Sequence, residues 1–365
     1  MGATLHNSGS DRSKHKFPFA RKFAFTVVDD TDFCTIETVK PVYDFLLELG
    51  VRTTKTVWPL AGKEEGWGST LQDTQYRSYV KDLQRRGVEL ALHNVRHGTA
   101  TRAQTIEGFS EFIAHLGSAP RVHCNHESNR ENLYWGASRL RPGLLRGIHR
   151  ASMLLQDRES AGHRPESEYF WGDLCRQHIS YARNLVFREI NLDRVNPSMP
   201  YHDPAKPWVK GWFSSCDGED VERFCRLISE DNQLQLESEG GVCIVYTHFV
   251  YGFFENGRLH PEFERLMRLL AGRSGWFVPV SELLDHLRSE RQSDQIPAAE
   301  LARMERVWLT HRLQTKVLHA LRIRQRSWDG LRNLGAGRPR VAATETEVQQ
   351  QQERMAASAR PAANP

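Results

Sequence analysis

The chain has 365 residues, 39% of them hydrophobic, and a formal net charge of +4. This length is enough for one large domain or two ordinary ones, and so mild a charge gives no reason to expect a nucleic-acid partner. The six cysteines include no C-x-x-C pair, which argues against a zinc knuckle and favours reduced thiols in a reducing compartment.

Residues 1–20 are polar and lack the apolar core of a secretory signal peptide. The longest apolar stretch, GVCIVYTHFVYGFF, is too short to span a bilayer. We therefore expect a flexible leader over 1–20 and a soluble, cytoplasmic protein.

Strand-like and helix-like segments alternate from residue 21 to residue 292. Apolar, β-branched runs predict strands at 22–28, 51–58, 88–92, 184–192, 207–213, 241–249 and 275–280. Amphipathic segments predict helices at 37–50, 71–87, 101–117, 219–232, 261–272 and 281–290. Residues 121–180 are harder to interpret, and we expect irregular structure there with one or two helices. This order indicates an α/β fold with a largely parallel sheet, either open or closed into a barrel.

The C-terminal part has a different character. Residues 296–332 predict a basic helical extension, and residues 333–365 have the low hydrophobicity of a disordered tail. The segment 300–326 could contact an anionic membrane. The alternative, which we favour, is that its apolar residues pack on the main domain.

Titratable residues stand where three of the predicted strands end. Asp29 and Asp30 follow the first strand, His93 and His97 the third, and His248 a late one. In either form of the fold, ligands gather at the carboxyl ends of the strands. Two imidazoles and one carboxylate supply the three protein ligands of a catalytic zinc site, although H-x-x-x-H alone is more often two ordinary histidines.

The order TVVDD, HNVRH and VYTHF resembles the polysaccharide deacetylase family, the NodB-homology domains of carbohydrate esterase family four. The resemblance implies a distorted (β/α)7 barrel over 21–292 and a hydrolase that removes acetyl groups from an N- or O-acetylated saccharide. It implies a divalent metal, zinc with Co²⁺ or Ni²⁺ as alternatives, held by Asp30, His93 and His97. It also implies that Asp29 is the base and His248 the acid. Asp32 is expected to be a loop or capping residue.

The chain departs from the family pattern in its third motif, where the expected arginine is not recognisable. Arg130 is our candidate for that role, and Asn125 and Trp135 are further candidates for binding substrate in the segment that follows residue 121. Two other functions stay open. One is a different amide or glycosidic hydrolase on the same barrel, and the other is an inactive barrel that binds a glycan or a partner.

Overall fold

The computed structural model describes residues 17–127, 129–153 and 160–314. Its centre is a parallel β-barrel whose strands are β1 Phe23–Asp29, β2 Thr54–Val57, β3 Glu89–His93, β4 Val122–Cys124, β5 Tyr181–Phe187, β6 Trp212–Asp217 and β7 Val242–Thr247. Neighbours in this order are hydrogen-bonded, and β1 also pairs with β7. The barrel is therefore closed, and the predicted seven-stranded α/β barrel is confirmed.

The barrel is distorted at β1. One edge of β1 pairs along nearly its whole length with β7, from Ala24 opposite Val242 to Asp29 opposite Thr247. The other edge meets β2 only at the end of the strand, and β10 (Gly275–Phe277) pairs with its first three residues. Each β1 residue is buried, as expected for a strand covered on both faces.

Helices surround the barrel and connect its strands. They are α1 Ile36–Glu48, α2 Thr74–Arg85, α3 Arg102–Leu116, α4 Leu144–Met153, α5 Gly172–His178, α6 Val221–Leu227, α7 Glu230–Glu239, α8 Pro261–Ala271 and α9 Val280–Ser289. Their ends follow local sequence signals: Asp73 caps α2 by accepting hydrogen bonds from the second and third residues beyond it, and Thr101 with Gln104 forms a capping box at α3. A small hairpin, β8 Phe254–Glu255 and β9 Arg258–Leu259, precedes α8.

The segment 121–180 contains a barrel strand that the sequence does not show clearly. Strand β4 is only three residues long, which is too short for a distinct periodic pattern. The segment also contains α4 and α5, in line with the expected one or two helices. Strand β6 begins at Trp212, so the strand predicted at 207–213 overlaps it only at its end.

Residues 298–314 are helical and lie against the barrel. Leu301, Met304 and Trp308 are buried, and the buried carboxylate of Glu305 accepts a hydrogen bond of 2.9 Å from the backbone N–H of Arg141. The apolar residues of this part of the extension therefore pack on the main domain. Residues 315–365 and 1–16 lie outside the described residues. Among the described helices, none is both long and apolar enough to cross a membrane.

Candidate metal centre

Residues at the carboxyl ends of four barrel strands meet at one carboxylate, that of Asp32. Asp32 lies three residues beyond the end of β1, and His93 is the last residue of β3. His126 lies two residues beyond β4, and His248 directly follows β7. Because all barrel strands are parallel, these chain positions reach the same end of the barrel.

Asp32 joins two histidines from different loops. Its Oδ1 lies 2.9 Å from Nε2 of His126, and its Oδ2 lies 3.0 Å from Nε2 of His93. The ligand atoms of these three residues are close enough together to hold one metal ion. Fewer than one tenth of each side chain is exposed, at 9%, 8% and 4% for Asp32, His126 and His93. The three residues form a buried Asp–His–His group, which we call the triad.

The far nitrogen of each imidazole in the triad faces an oxygen. Nδ1 of His93 lies 3.2 Å from the carbonyl oxygen of Cys124, and Nδ1 of His126 lies 3.1 Å from Oδ1 of Asn129. Neither oxygen can donate, so each Nδ1 carries the proton. Each Nε2 faces Asp32, and it is the nitrogen that would ligate a metal ion held there.

The donor atoms of the triad fit a divalent cation. Asp32 Oδ2 is buried and accepts no hydrogen bond from any residue that the structure describes. Burial would raise the pKa of Asp32, but His126 and His93 hold it well below its usual value, so the carboxyl is ionised. One oxygen and two imidazole nitrogens form a three-ligand set that suits zinc and leaves a position for water.

Asp30 lies beside the triad and is paired with an arginine. Nη1 and Nη2 of Arg183, on β5, donate to its two oxygens at 3.1 and 2.5 Å. Oδ2 of Asp30 is 3.8 Å from Nε2 of His93. Burial would raise the pKa of Asp30, but Arg183 and His93 lower it below its usual value. In the structure Asp30 is thus paired with Arg183, and the three residues whose ligand atoms lie together are Asp32, His93 and His126.

Asp29 points away from the triad because successive side chains of a strand alternate between its faces. Its Oδ2 accepts hydrogen bonds from Tyr43 of α1 at 2.8 Å and from Lys55 of β2 at 3.0 Å. Its Oδ1 accepts one from the backbone N–H of Phe249 at 2.9 Å. Lys55 is fully buried. Asp29 therefore ties β1, β2, α1 and the loop after β7 together.

His97 is near the triad but does not belong to it. Its ring stacks on Trp67 with centroids 3.6 Å apart and an interplanar angle of 12°. Burial and the neighbouring His126 lower its pKa to about 4. The chain turns between the two histidines, since Asn94 has a left-handed φ of +53°. His93 and His97 consequently do not share one helical face, and His126 takes the third place.

His248 faces the triad at the carboxylate of Asp32. Its Nε2 is 3.4 Å from Asp32 Oδ2, and its backbone N–H donates to the carbonyl oxygen of Glu219. Burial alone would lower the pKa of His248, but the Asp32 and Asp30 carboxylates raise it to about 9. Its position beside the triad agrees with the prediction that the site lies at the carboxyl ends of the strands.

Amide side chains hold the loop that carries His126. Asn94 Oδ1 accepts a hydrogen bond from the His126 backbone N–H at 3.0 Å, and Asn94 Nδ2 donates to Glu131 and Asn132 at 2.8 and 2.9 Å. Asn129 Nδ2 also donates to Glu131, at 2.7 Å. This network orients one ligand histidine through its own backbone and through the residue that fixes its Nδ1.

The three residues predicted to bind substrate contact other groups of the protein. Arg130 is exposed and lies over the ring of Tyr169, 4.6 Å from its centroid. Asn125 is buried and bonds to both backbone groups of Leu133. The guanidinium of Arg139 lies 3.2 Å from the ring centroid of Trp135.

Sequence reasoning did not place three residues in the site: Asp32, His126 and Arg183. Asp32 was expected to be a loop or capping residue, and His126 lies in the segment 121–180, which was harder to interpret from the sequence. Arg183 had a detectable signal, because a charged residue inside the buried run Tyr181–Phe187 requires an opposite charge. That carboxylate, Asp30, is 153 positions away in the sequence.

Solved structures similar to this chain were found, whereas no family model and no curated protein matches it. One is a probable polysaccharide deacetylase from Pseudomonas aeruginosa PAO1, with 12% identity, 80% of this chain and 99% of that chain covered, and a TM-score of 0.48. Another is Puue allantoinase, with 11% identity, 79% of this chain and 98% of that chain covered, and a TM-score of 0.47. The peptidoglycan deacetylase PdaC from Bacillus subtilis has 10% identity, with 74% of this chain and 93% of that chain covered, and a TM-score of 0.37. The descriptions of these structures include the family that the three strand-end motifs resemble.

Proposed function

We propose that this chain is a metal-dependent hydrolase that removes an acetyl group from an N- or O-acetylated saccharide. The observation that carries the proposal is the buried triad, in which both imidazoles turn Nδ1 to an acceptor oxygen and Nε2 to Asp32, with Asp30 and His248 beside it. The acetylated saccharide is the substrate class implied by the motifs TVVDD, HNVRH and VYTHF.

Asp32, His93 and His126 would hold the cation, for which zinc is the best fit to one carboxylate and two imidazoles. A divalent ion there supplies a Lewis acid that polarises the acetyl carbonyl and lowers the pKa of water. The protein's part is to keep this region dry, because its three ligand side chains are almost fully buried, and electrostatic interactions are stronger where water is excluded.

We assign the base to Asp30 and not to Asp29. Asp30 Oδ2 lies beside the His93 end of the triad, where it can take a proton from the attacking water. Arg183 orients this carboxylate and keeps it ionised. Asp29 points away from the triad, where Tyr43, Lys55 and Phe249 hold its carboxylate, so it is a positioning residue in this proposal.

His248 is assigned as the acid that protonates the leaving nitrogen or oxygen. Its Nε2 faces the triad, so a proton on this atom can reach a group leaving from the centre. The hydrogen bond from Phe249 to Asp29 and that from His248 to Glu219 fix the backbone on both sides of this ring.

All six cysteines lie among the described residues, and each is a buried free thiol. Free thiols are typical of a reducing compartment. This supports the cytoplasmic location expected from the sequence, and with it a substrate that is a small saccharide derivative made inside the cell.

The proposed function is tested by measuring acetate release from a panel of N- and O-acetylated saccharides. The protein is first stripped with a chelator and then supplied with Zn²⁺, Co²⁺ or Ni²⁺. We expect release with at least one added ion and none in the stripped protein. Equal release with and without the chelator would contradict a metal-dependent reaction.

A pair of histidine variants tests the ligand set. We expect His126→Ala to lose the bound ion, because it removes one of three ligands, and His97→Ala to keep about one ion per chain. Metal content is measured by elemental analysis after purification without added chelator. Loss of the ion from His97→Ala, together with its retention in His126→Ala, would restore the ligand set implied by the family pattern.

Asn94 is expected to control metal affinity although its side chain is not a ligand. Asn94→Ala removes the hydrogen bonds to His126 and Glu131, and loss of such supporting contacts typically weakens metal binding about 10–100-fold. Asn94→Gly removes the same bonds but tolerates the left-handed backbone. Equal weakening in both variants, measured by competition with a fluorescent chelator, would assign the effect to the hydrogen bonds. An Asn94→Ala variant with wild-type affinity would show that the network is dispensable.

A further inference from the structure

The outward side of α4 is apolar. Its exposed residues without a polar side-chain group, which we call the outer face, are Leu144, Gly147, Ile148 and Ala151. At 3.6 residues per turn they share one side of the helix, and Leu144 and Ile148 are 79% and 37% exposed. The opposite side packs on the protein, where the ring of His149 stacks on Trp308 with centroids 5.5 Å apart. A surface helix normally turns its polar side outward, so the outer face indicates a partner with an apolar surface.

The charge around the outer face is positive. Residues 132–156 contain four arginines and no acidic residue. Arg141 pairs with Glu305 at 3.3 Å, whereas Arg146 donates to a neutral backbone carbonyl oxygen and pairs with no carboxylate of the residues that the structure describes. Burial and the charge of Arg150 lower the pKa of Arg146 below its usual value. A partner for this face should therefore carry negative charge.

The segment that contains α4 is anchored on both sides to the loop that carries His126. The backbone N–H of Trp135 donates to Ser160 Oγ at 3.0 Å, and that of Ala161 donates to the Arg130 carbonyl oxygen at 2.7 Å. The outer face therefore belongs to an excursion of the chain that leaves and re-enters the loop of one proposed metal ligand.

We propose that the outer face of α4 docks on an anionic phospholipid bilayer. Leu144 and Ile148 enter the boundary between the headgroups and the acyl chains, and Arg146 and Arg150 meet the lipid phosphates. An amphipathic helix with arginines beside its apolar side binds a membrane surface in this way without crossing it. The inference does not depend on the proposed function.

Charge and size favour a bilayer over a protein partner. A second copy of this chain, docked face to face, would bring its own arginines against those of α4. The segment 315–332 of the same chain has five basic residues and one acidic residue, so like charges oppose its docking too. A stable protein interface buries about 800 Å² on each partner, more than two large apolar side chains supply. Binding at a lipid surface combines a small inserted apolar area with attraction to anionic headgroups.

The test measures co-sedimentation of the full-length protein with sucrose-loaded vesicles. One set of vesicles is phosphatidylcholine alone, and the other is phosphatidylcholine mixed with phosphatidylglycerol. We expect binding to the anionic vesicles that weakens as salt is added, because salt screens exposed charges, and little binding to phosphatidylcholine alone. No binding to the anionic vesicles, or equal binding to both sets, would overturn the inference.

Variants of α4 locate the contact. The double variant Leu144→Gln, Ile148→Gln removes the apolar side chains and no charge, and we expect the vesicle partition coefficient to fall about tenfold or more. Arg150→Gln should lower the same coefficient about fivefold. Circular dichroism shows whether each variant is folded. If the folded double variant binds anionic vesicles as tightly as wild type, another part of the chain makes the contact and the inference is wrong.

Helix α3 supplies the matched control. Ile106 and Ile113 lie seven positions apart on it and are 44% and 36% exposed, but Glu107 and Glu111 are their charged neighbours. The double variant Ile106→Gln, Ile113→Gln should leave vesicle binding unchanged, and an equal loss in both double variants would contradict a specific role of α4. A wild-type dimer that becomes monomeric in the α4 double variant, measured by light scattering, would assign the outer face to a second copy instead.

Discussion

Asp32→Asn is expected to lose both the bound ion and acetate release, whereas Asp30→Asn is expected to keep the ion and lose turnover. Asp32 bridges the two ligand imidazoles at 2.9 and 3.0 Å, and a neutral amide is a poor metal ligand. Asp30 is paired with Arg183 and stands beside the triad. Removing a general base typically lowers kcat by about 10²–10⁴-fold. Metal content and kcat are measured on the same preparations.

The two asparagine variants are nearly equal in shape to the residues they replace, so each is a control for the other. A folded Asp30→Asn protein without metal would show that Asp30 is a ligand, as the family pattern implied. A folded Asp32→Asn protein with a full complement of metal would remove Asp32 from the ligand set. Circular dichroism and the melting temperature of each variant show whether the barrel is intact.

Asp29→Asn is expected to destabilise the protein by about 3–5 kcal/mol, because it leaves the charge of Lys55 buried without a partner. Lys55 has no exposed side-chain surface, and its nitrogen lies 3.0 Å from Asp29. The pKa of Lys55 is raised well above its usual value: burial would lower it, and the carboxylate of Asp29 more than offsets that effect. The free energy of unfolding is measured by urea titration.

The double variant Asp29→Asn, Lys55→Met is the matched control. It removes both charges, and an apolar replacement of a buried pair is often neutral, so we expect it to recover most of the lost stability. The same variants test the predicted base. If Asp29→Asn is as stable as wild type but has lost turnover, Asp29 and not Asp30 is the base.

The local sequence was sufficient for most of the elements, though not for β4, and for the end of the barrel where the site lies. Buried apolar runs that stop at Asp29, His93 and His248 marked three strands, and parallel strands deliver their following residues to one end of the sheet. This reasoning predicted a largely parallel α/β sheet, open or closed, and placed a carboxylate and imidazoles near each other, while the barrel itself was implied by the family resemblance of the three motifs. It did so because strand and helix patterns depend on residues close together in the chain.

Only the tertiary structure decided which acid and which histidines converge. The sequence shows three aspartates within four positions, but the register of β1 against β2 places Asp29 beside Lys55, and closure of the barrel brings Asp30 to Arg183 of β5. Likewise, the turn at Asn94 directs His97 to Trp67, and a loop from another strand delivers His126. Each of these contacts joins residues far apart in the chain, so no local pattern records it. Closure of the barrel brings them together.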